Sequence, residues 1–579
     1  MCMRTPSPWR SFSGTDVGDT GSPDVVLGHI SDLHGQLGTR HQAYFESGQT
    51  LERNAGLPVL AAALDALREK HTLFTLMSGD TFHGSAITTY TNGKAMIDPI
   101  NTHLRPDIYV PGNWDYANEP AEDGNLQEMM DGLDATVIAA NLYEWDSREL
   151  LYDSYTVTEV GGIALGIVGM TNGYVDRMAP AFFEGKYRFG THPMLLAEAA
   201  AQARADGADI VVGVTEIGLP WSVQAAKDDL GIDVLFSAHT HEYTYDPIVI
   251  ANTKTIVVES GLGEGLGRVD LRIRDGELHF RHHLYCLTEE RPDTPAPDPD
   301  AEETVTSIRE PFLTDDPNRS RGAGHLDRPL DTVVGRTKTP LHRQGLLESP
   351  WNPVFTNALR EHFDTDLAVA HGFRYGTALP PGDITIGDVY TAFPQTSPVA
   401  SGVAFGQQLT AHMEAFLQDN FSPYPYDQED GRVRNFSSNV HCTINPQAKR
   451  GRRLVELLID GEPIKADASY SVATFTRPGD PERDLGNCGF PFRDVQVDAD
   501  IVPADVVIDY LLDSSPVAPE VGTAIDITAQ GNRIQNTPAE GPYPFVQPGV
   551  DHGEGEVYCE TALIPGANQF PAPDGASRR

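Results

Sequence analysis

Positive charge is what this 579-residue chain has least of. Lys and Arg together number 42 against 83 Asp and Glu, a formal net charge of −41. Lysine is scarce, and arginine supplies most of the cationic side chains. The acidic residues are spread along the chain and not gathered in one tail. Such a field repels nucleic acid and anionic membrane surfaces, so neither is an expected partner. Dispersed acidity also keeps proteins solvated in a salty cytoplasm, and a halophilic source is the expectation. Cysteine is nearly absent. Cys2, Cys286, Cys442, Cys488 and Cys559 are odd in number, far apart and without a CxxC pair, which excludes a disulfide framework. No apolar run is long enough to span a bilayer. The opening "MCMRTPSPWRSFSGTDVGDTGSPD" lacks the apolar segment of a secretory signal. A cytoplasmic location is expected.

What is present is material for real cores: 40% hydrophobic residues, 8% of the chain aromatic. The length suits two large domains. Residues 1–24 read as a disordered N-terminus. From 25 to 287, short apolar runs alternate with helical patterns. "VVLGHIS", "LFTLMSGD", "DIYVPGN", "TVIAANL", "IALGIVGM", "DIVVGVTE", "DVLFSAHT" and "TIVVES" are the runs; "GLPVLAAALDALREKH" and "WSVQAAKDDLG" carry helical spacing. Strands alternating with helices predict a layered α/β domain. Residues 288–329 begin with the Pro- and acid-rich "TEERPDTPAPDPDAEET" and read as a linker, with room for a helix to resume. A second α/β unit is expected over 330–535, and an irregular tail over 536–579. No internal repeat is found.

Several strands of the first unit end in a residue that can bind a cation. "ISDLHGQ" supplies Asp32 and His34, two apart and so on one side of an extended segment. "LMSGDTFHG" supplies Asp80, "VPGNWD" supplies Asn113, and "FSAHTHE" supplies the i, i+2 pair His239 and His241. A lone His-x-His is more often a surface pair, and a lone Gly-Asp is usually a turn. Here they recur in order at strand ends, and the carboxyl ends of strands line the ligand crevice of open α/β sheets. Two carboxylates, one amide and three imidazoles are too many for one structural zinc. They suit two divalent metals bridged by a carboxylate. The mixed N/O set points to Mn or Zn first, with Fe or Co also compatible.

"D-L-H", "G-D-T", "G-N-x-D" and "A-H-T-H" resemble the ordered signature of calcineurin-like metallophosphoesterases. "VVGRTKTPL", "SPWNPVFTNALREHF", "HGFRYG", "PPGDITIGDVYTAFP" and "YSVAT" resemble the C-terminal domain of the 5′-nucleotidase family. The resemblance covers roughly residues 25–530. It implies a layered β-sandwich flanked by helices, followed by a C-terminal α/β substrate-binding domain. It also implies a dinuclear hydrolase of phosphate esters, nucleotides included, in which a metal-activated hydroxide attacks. By the resemblance, Asp32, His34, Asp80 and His241 hold the first metal, Asp80 bridges, and Asn113 and His239 hold the second. The family's remaining histidine ligand is matched in "VTEIG" by Glu216. A carboxylate there can also ligate; the bland alternative is that it supports a ligand or caps the next helix.

The chain departs from the family at "GNWD". The family's catalytic histidine is replaced by Trp114, whose indole N–H can donate one neutral hydrogen bond but cannot titrate. Asp115 is retained in type. Two metals can activate water without that histidine, so chemistry would be weakened or redirected and not abolished. The aromatic base clamp is also altered. Gln395 follows Pro394, Arg477 stands near the second clamp position, and Phe475 and Phe490 read more readily as core. Trp at this position, "GFRYG" and "QDNFSPYPYDQEDG" resemble the thiosulfohydrolase branch of the family, although Asn113 and Glu216 depart from that branch. Arg374 in "GFRYG" is expected to bind the substrate's anionic group, with Arg343 a second candidate; a surface ion pair is the plain alternative for each. Three functions stand from the sequence. The first is a phosphoesterase acting on a small anionic phosphate ester. The second cleaves a sulfur–sulfur bond of a carrier-bound thiosulfonate. The third is a metal-bound, non-catalytic binding protein.

Overall fold

The computed structural model describes residues 10–11, 23–38, 40–46, 49–119, 125–178, 183–244, 246–250, 252–274, 277–287, 294–315, 328–343, 345, 347–371, 376, 378–422, 426, 433–446, 448–476, 485, 488, 490–521 and 524–527. Most of the stretch read as a disordered N-terminus, and the whole tail 536–579, lie outside the described residues. Within the former, Arg10–Ser11 form a two-residue strand, β1.

The first domain is a two-sheet sandwich. Val25–Ser31 (β2), Leu73–Ser78 (β3), Ile108–Val110 (β4) and Thr136–Val137 (β5) run parallel in one sheet. In the other, Tyr155–Val160 (β6) pairs antiparallel with Ile163–Met170 (β7). Ile210–Thr215 (β8) and Val234–Ser237 (β9) follow in parallel. Ile248–Val249 (β10) edges this sheet beside Ile256–Glu259 (β11). An antiparallel hairpin, Gly265–Arg274 (β12) and Glu277–Cys286 (β13), extends the first sheet. The orders are β1-β13-β12-β2-β3-β4-β5 and β10-β11-β9-β8-β7-β6. β2 is buried along its whole length, as its continuous apolar run requires of a central parallel strand. Between the sheets lie Val25, Leu27, Leu76, Ile108, Val110, Leu165, Ile167, Val212, Val214, Val234, Phe236, Val258 and Val269.

Helices cover the outer faces. Leu57–Arg68 (α1) buries Leu57, Leu60, Ala61, Leu64 and Leu67, one face at helical spacing. Leu219–Lys227 (α2) buries Leu219, Trp221, Val223 and Ala226 over the second sheet. The segment read as a linker holds a helix, Pro299–Arg309 (α3). Asp298 caps it by accepting from the Ala301 N–H at 2.7 Å. Ala301 and Val305 are buried with α1 in the same cluster. That cluster continues through Leu330, Val334, Trp351, Phe355 and Tyr390 of the second domain.

The second domain has a five-stranded sheet in the order Asn435–Phe436, Leu367–Ala370, Ser469–Phe475, Val399–Phe405, Arg493–Asp498. A four-stranded sheet, Glu462–Pro463, Leu454–Ile459, Val440–Ile444 and Ile525–Ile527, lies beside it. Gly406–Phe421 packs Leu409, Met413 and Leu417 into their shared core. Among the described residues no helix is long and apolar enough to cross a membrane.

Candidate metal centre

Parallel strands end together, so whatever follows them converges. Asp32 and His34 follow β2, Asp80 follows β3, Asn113 follows β4, Glu216 follows β8, and His239 and His241 follow β9. Two glycines permit the close approach. A Cβ on Gly79 would strike the Gly112 backbone, and one on Gly112 would strike Asp80. The "GD" and "GN" pairs are therefore back-to-back turns. Asp32, His34, Asp80, His239 and His241 all adopt positive φ, between 44° and 82°. Non-glycine residues rarely take that conformation, and they do so disproportionately at functional sites.

The side chains form two groups that share one carboxylate. Asp32, His34, Asp80 and His241 offer ligand atoms within 4.8 Å of one another, and so do Asp80, Glu216 and His239. His34 Nε2 lies 3.2 Å from His241 Nε2, and His241 Nε2 lies 3.2 Å from Asp32 Oδ1. His239 Nδ1 is 2.8 Å from Asn113 Oδ1 and 3.6 Å from Glu216 Oε2. Asp32 and Glu216 are fully buried. Burying three carboxylates this close is costly unless cations balance them. The donor set, imidazole nitrogens facing carboxylate oxygens, fits borderline divalent metals.

The loops are fixed from behind. The Trp114 N–H donates to Asp80 Oδ1 at 2.6 Å. The His83 carbonyl lies 3.2 Å from His34 Nδ1; accepting that proton leaves Nε2 directed at the cluster. The Thr240 hydroxyl donates to Glu259 and accepts from the Leu219 N–H at 3.0 Å. The Glu242 N–H also donates to Glu259, at 2.9 Å. Burial, and then the Asp32 charge, pushes the Glu259 carboxyl up to about 8. Glu259 was missed in the sequence, although it ends a strand as the candidate ligands do.

Asp115, a catalytic candidate, has its carboxylate turned into the fold. It accepts from the N–H groups of Thr81 (2.8 Å), Gly112 (2.8 Å) and Phe82 (3.3 Å), and from the Tyr109 hydroxyl (2.7 Å). Burial raises this carboxyl above its usual range, against the pull of those four donors. It ties the Asp80 turn to the Asn113 turn. The Trp114 ring is half-buried and stacks on His83 at 4.7 Å with 8° between planes. It is held on one face and packs against the large core cluster. Arg343, a substrate-binding candidate, is 2% exposed. Its guanidinium donates to the carbonyls of Ala392 at 2.7 Å and His371 at 2.9 Å and lies over Phe393. It ties the end of the helix Ile386–Ala392 to the residue after the strand Leu367–Ala370. Arg374 and Arg477 lie outside the described residues. Phe475 is core, and Phe490 is half-buried against Phe492.

A sandwich with a carboxylate-sharing ligand cluster at its strand ends, joined to a second α/β domain, defines a two-domain metallophosphoesterase architecture. Residues 25–243 match the calcineurin-like phosphoesterase family and residues 331–476 match the 5′-nucleotidase C-terminal domain. The chain thus joins a calcineurin-like phosphoesterase domain, of a class that binds divalent metals, to a 5′-nucleotidase C-terminal domain. Among solved structures it resembles the sulfate thiohydrolase SoxB of Thermus thermophilus (TM-score 0.75, 23% identity, 89% of this chain and 98% of that one). It also resembles a 5′-nucleotidase precursor from the same species (TM-score 0.72, 19% identity, 87% and 99%). At these identities the likeness establishes the fold. The endonuclease YhcR of Bacillus subtilis is 20% identical over 467 residues, 72% of this chain; the chain spans only 36% of that relative's length.

Proposed function

We propose that the protein is a dinuclear metal-dependent hydrolase of phosphate esters. Asp32, His34, Asp80 and His241 would hold one cation, and Asp80, Asn113, Glu216 and His239 the other. The observation that carries this reading is the Asp80 carboxylate, common to both ligand groups. Bound there, two divalent cations would polarise a phosphoryl oxygen and lower the pKa of a water. The chain's own residues hold the arrangement. The Trp114 N–H orients Asp80, the His83 carbonyl sets the His34 tautomer, and Glu259 fixes the turn between His239 and His241. Asp115 acts as a positioning residue between the two turns and does not reach the substrate. Anion recognition falls to Arg374 by resemblance, with Arg343 holding the His371 carbonyl in the second domain.

The experiment is elemental analysis beside turnover of an aryl phosphate with added Mn. The parent should carry two metals per chain and hydrolyse the ester. Asp80→Ala should release both, and Glu216→Ala one. Two metals retained in Asp80→Ala would remove the bridging role.

A second reading has its own support. Trp114 replaces a proton donor and stacks on His83. That suits a leaving group that departs as a stable anion, such as the thiolate or persulfide of a carrier-bound thiosulfonate. Release of sulfate from a thiosulfonate, without turnover of aryl phosphate, would favour it.

A further inference from the structure

His83 has no catalytic part in the reading above, yet three contacts meet on it. It sits in the turn after Asp80 and is 7% exposed. Its carbonyl faces His34 Nδ1. Its ring lies flat on the Trp114 ring. A ring N–H donates to the carbonyl of Pro394, in the second domain. Pro394 follows Ile386–Ala392 closely, and the Ala392 carbonyl is held by Arg343. The backbone that His83 touches is thus itself fixed to the interior of the second domain.

A histidine chosen for packing alone would need neither a parallel aromatic face nor a partner across a domain boundary. We propose that His83 is a positioning residue that joins the metal face to the second domain: its ring sets the plane of Trp114, and its N–H seats the Pro394 turn. Substrate choice then depends on His83 through Trp114, and substrate affinity depends on it through the second domain. This rests on the reading that the ester lies over the metals, between the domains.

The two roles separate by substitution. His83→Phe keeps an aromatic face and removes the donor. His83→Gln keeps a donor and removes the face. In His83→Phe, backbone hydrogen exchange across 393–399 should quicken about tenfold, the effect of one hydrogen bond of ordinary net strength. KM for an aryl phosphate should rise about tenfold, with kcat within about threefold of the parent. The ratio of AMP to aryl phosphate turnover should stay put. In His83→Gln, exchange and KM should stay near the parent while that ratio moves. Metal content should match the parent in both.

Parental exchange and parental kinetics in both variants would make His83 a packing residue and overturn the proposal. So would loss of metal or of folding in both, because its part would then be structural or confined to His34. Quickened exchange in a protein that turns over no ester leaves the His83 contact standing and removes the phosphoesterase reading. Turnover with unmoved exchange does the reverse.

Discussion

Asp32, His34, Asp80, His239 and His241 are held at positive φ, at roughly 1–3 kcal/mol each where such a conformation is strained. Five such residues gather where three carboxylates and three imidazoles also crowd together. Cations bound there would offset both terms, so chelation should lower the melting temperature as well as stop turnover. Trp114 is the residue where chemistry and packing diverge most. Its backbone N–H is committed to Asp80 and its ring to His83. Neither contact supplies a titratable proton to a leaving group. Trp114→His should therefore raise hydrolysis of AMP relative to an aryl phosphate on the order of 10²-fold, the usual size of an acid–base contribution. The ribose alkoxide needs a proton on departure and the phenolate does not. Should the parent already cleave both esters equally, and the variant keep that ratio, Trp114 does not set substrate choice.

At the scale of elements, β13 carries a separate prediction. His282 is buried, and burial lowers its pKa to about 3. The unfolded chain binds a proton there below pH 6.5 and the folded chain does not. The stability it contributes is therefore whole above pH 6.5 and is lost as the pH falls toward 3. Between pH 6.5 and 5 the loss is about 2 kcal/mol. His282→Leu should flatten the pH dependence of unfolding in that window by about one proton, as read by denaturant titration. An unchanged slope would mean the ring takes up a proton in the folded state. His29 behaves alike, with its ring between the Ser260 and Ser78 hydroxyls at 2.6 and 2.7 Å and its pKa lowered to about 3.

The central strands were legible in the sequence because strands buried on both faces read as unbroken apolar runs, "VVLGHIS" and "DIVVGVTE" among them. Their ends were legible because ligand-type residues follow them. The β12–β13 hairpin was not read. Its apolar positions alternate with Arg268, Asp270, Arg272 and Arg274, and the buried Arg268–Asp270 pair at 2.6 Å makes that tolerable. Nor does spacing tell that the Asp115 carboxylate turns away from Asn113. That depends on Tyr109 and on the Asp80 turn, 34 positions away in sequence. His83 and Arg343 were illegible for the same reason: their partners, Pro394 and the carbonyls of Ala392 and His371, belong to contacts that sequence spacing does not encode.

At the scale of the whole molecule the dominant feature of the sequence is its net charge. At −41, the folded chain concentrates repulsion that the expanded chain relaxes, and salt should favour the folded form. The Debye length falls from about 10 Å at 0.1 M to about 3 Å at 1 M. Screening should therefore supply most of the gain in melting temperature below about 1 M KCl, with a shallower rise beyond it. The same field draws divalent cations toward the cluster of Asp32, Asp80 and Glu216. Screening should weaken that attraction, so apparent metal affinity should fall over the same range in which stability rises. These opposite slopes distinguish self-repulsion from a general salting-out effect, which would strengthen burial without weakening metal binding. The measurement is a KCl series of thermal melts in chelator, paired with Mn titrations at the same concentrations. Melting temperature and Mn affinity moving together, or neither moving below about 1 M, would show that the dispersed acidity does not control this protein's stability.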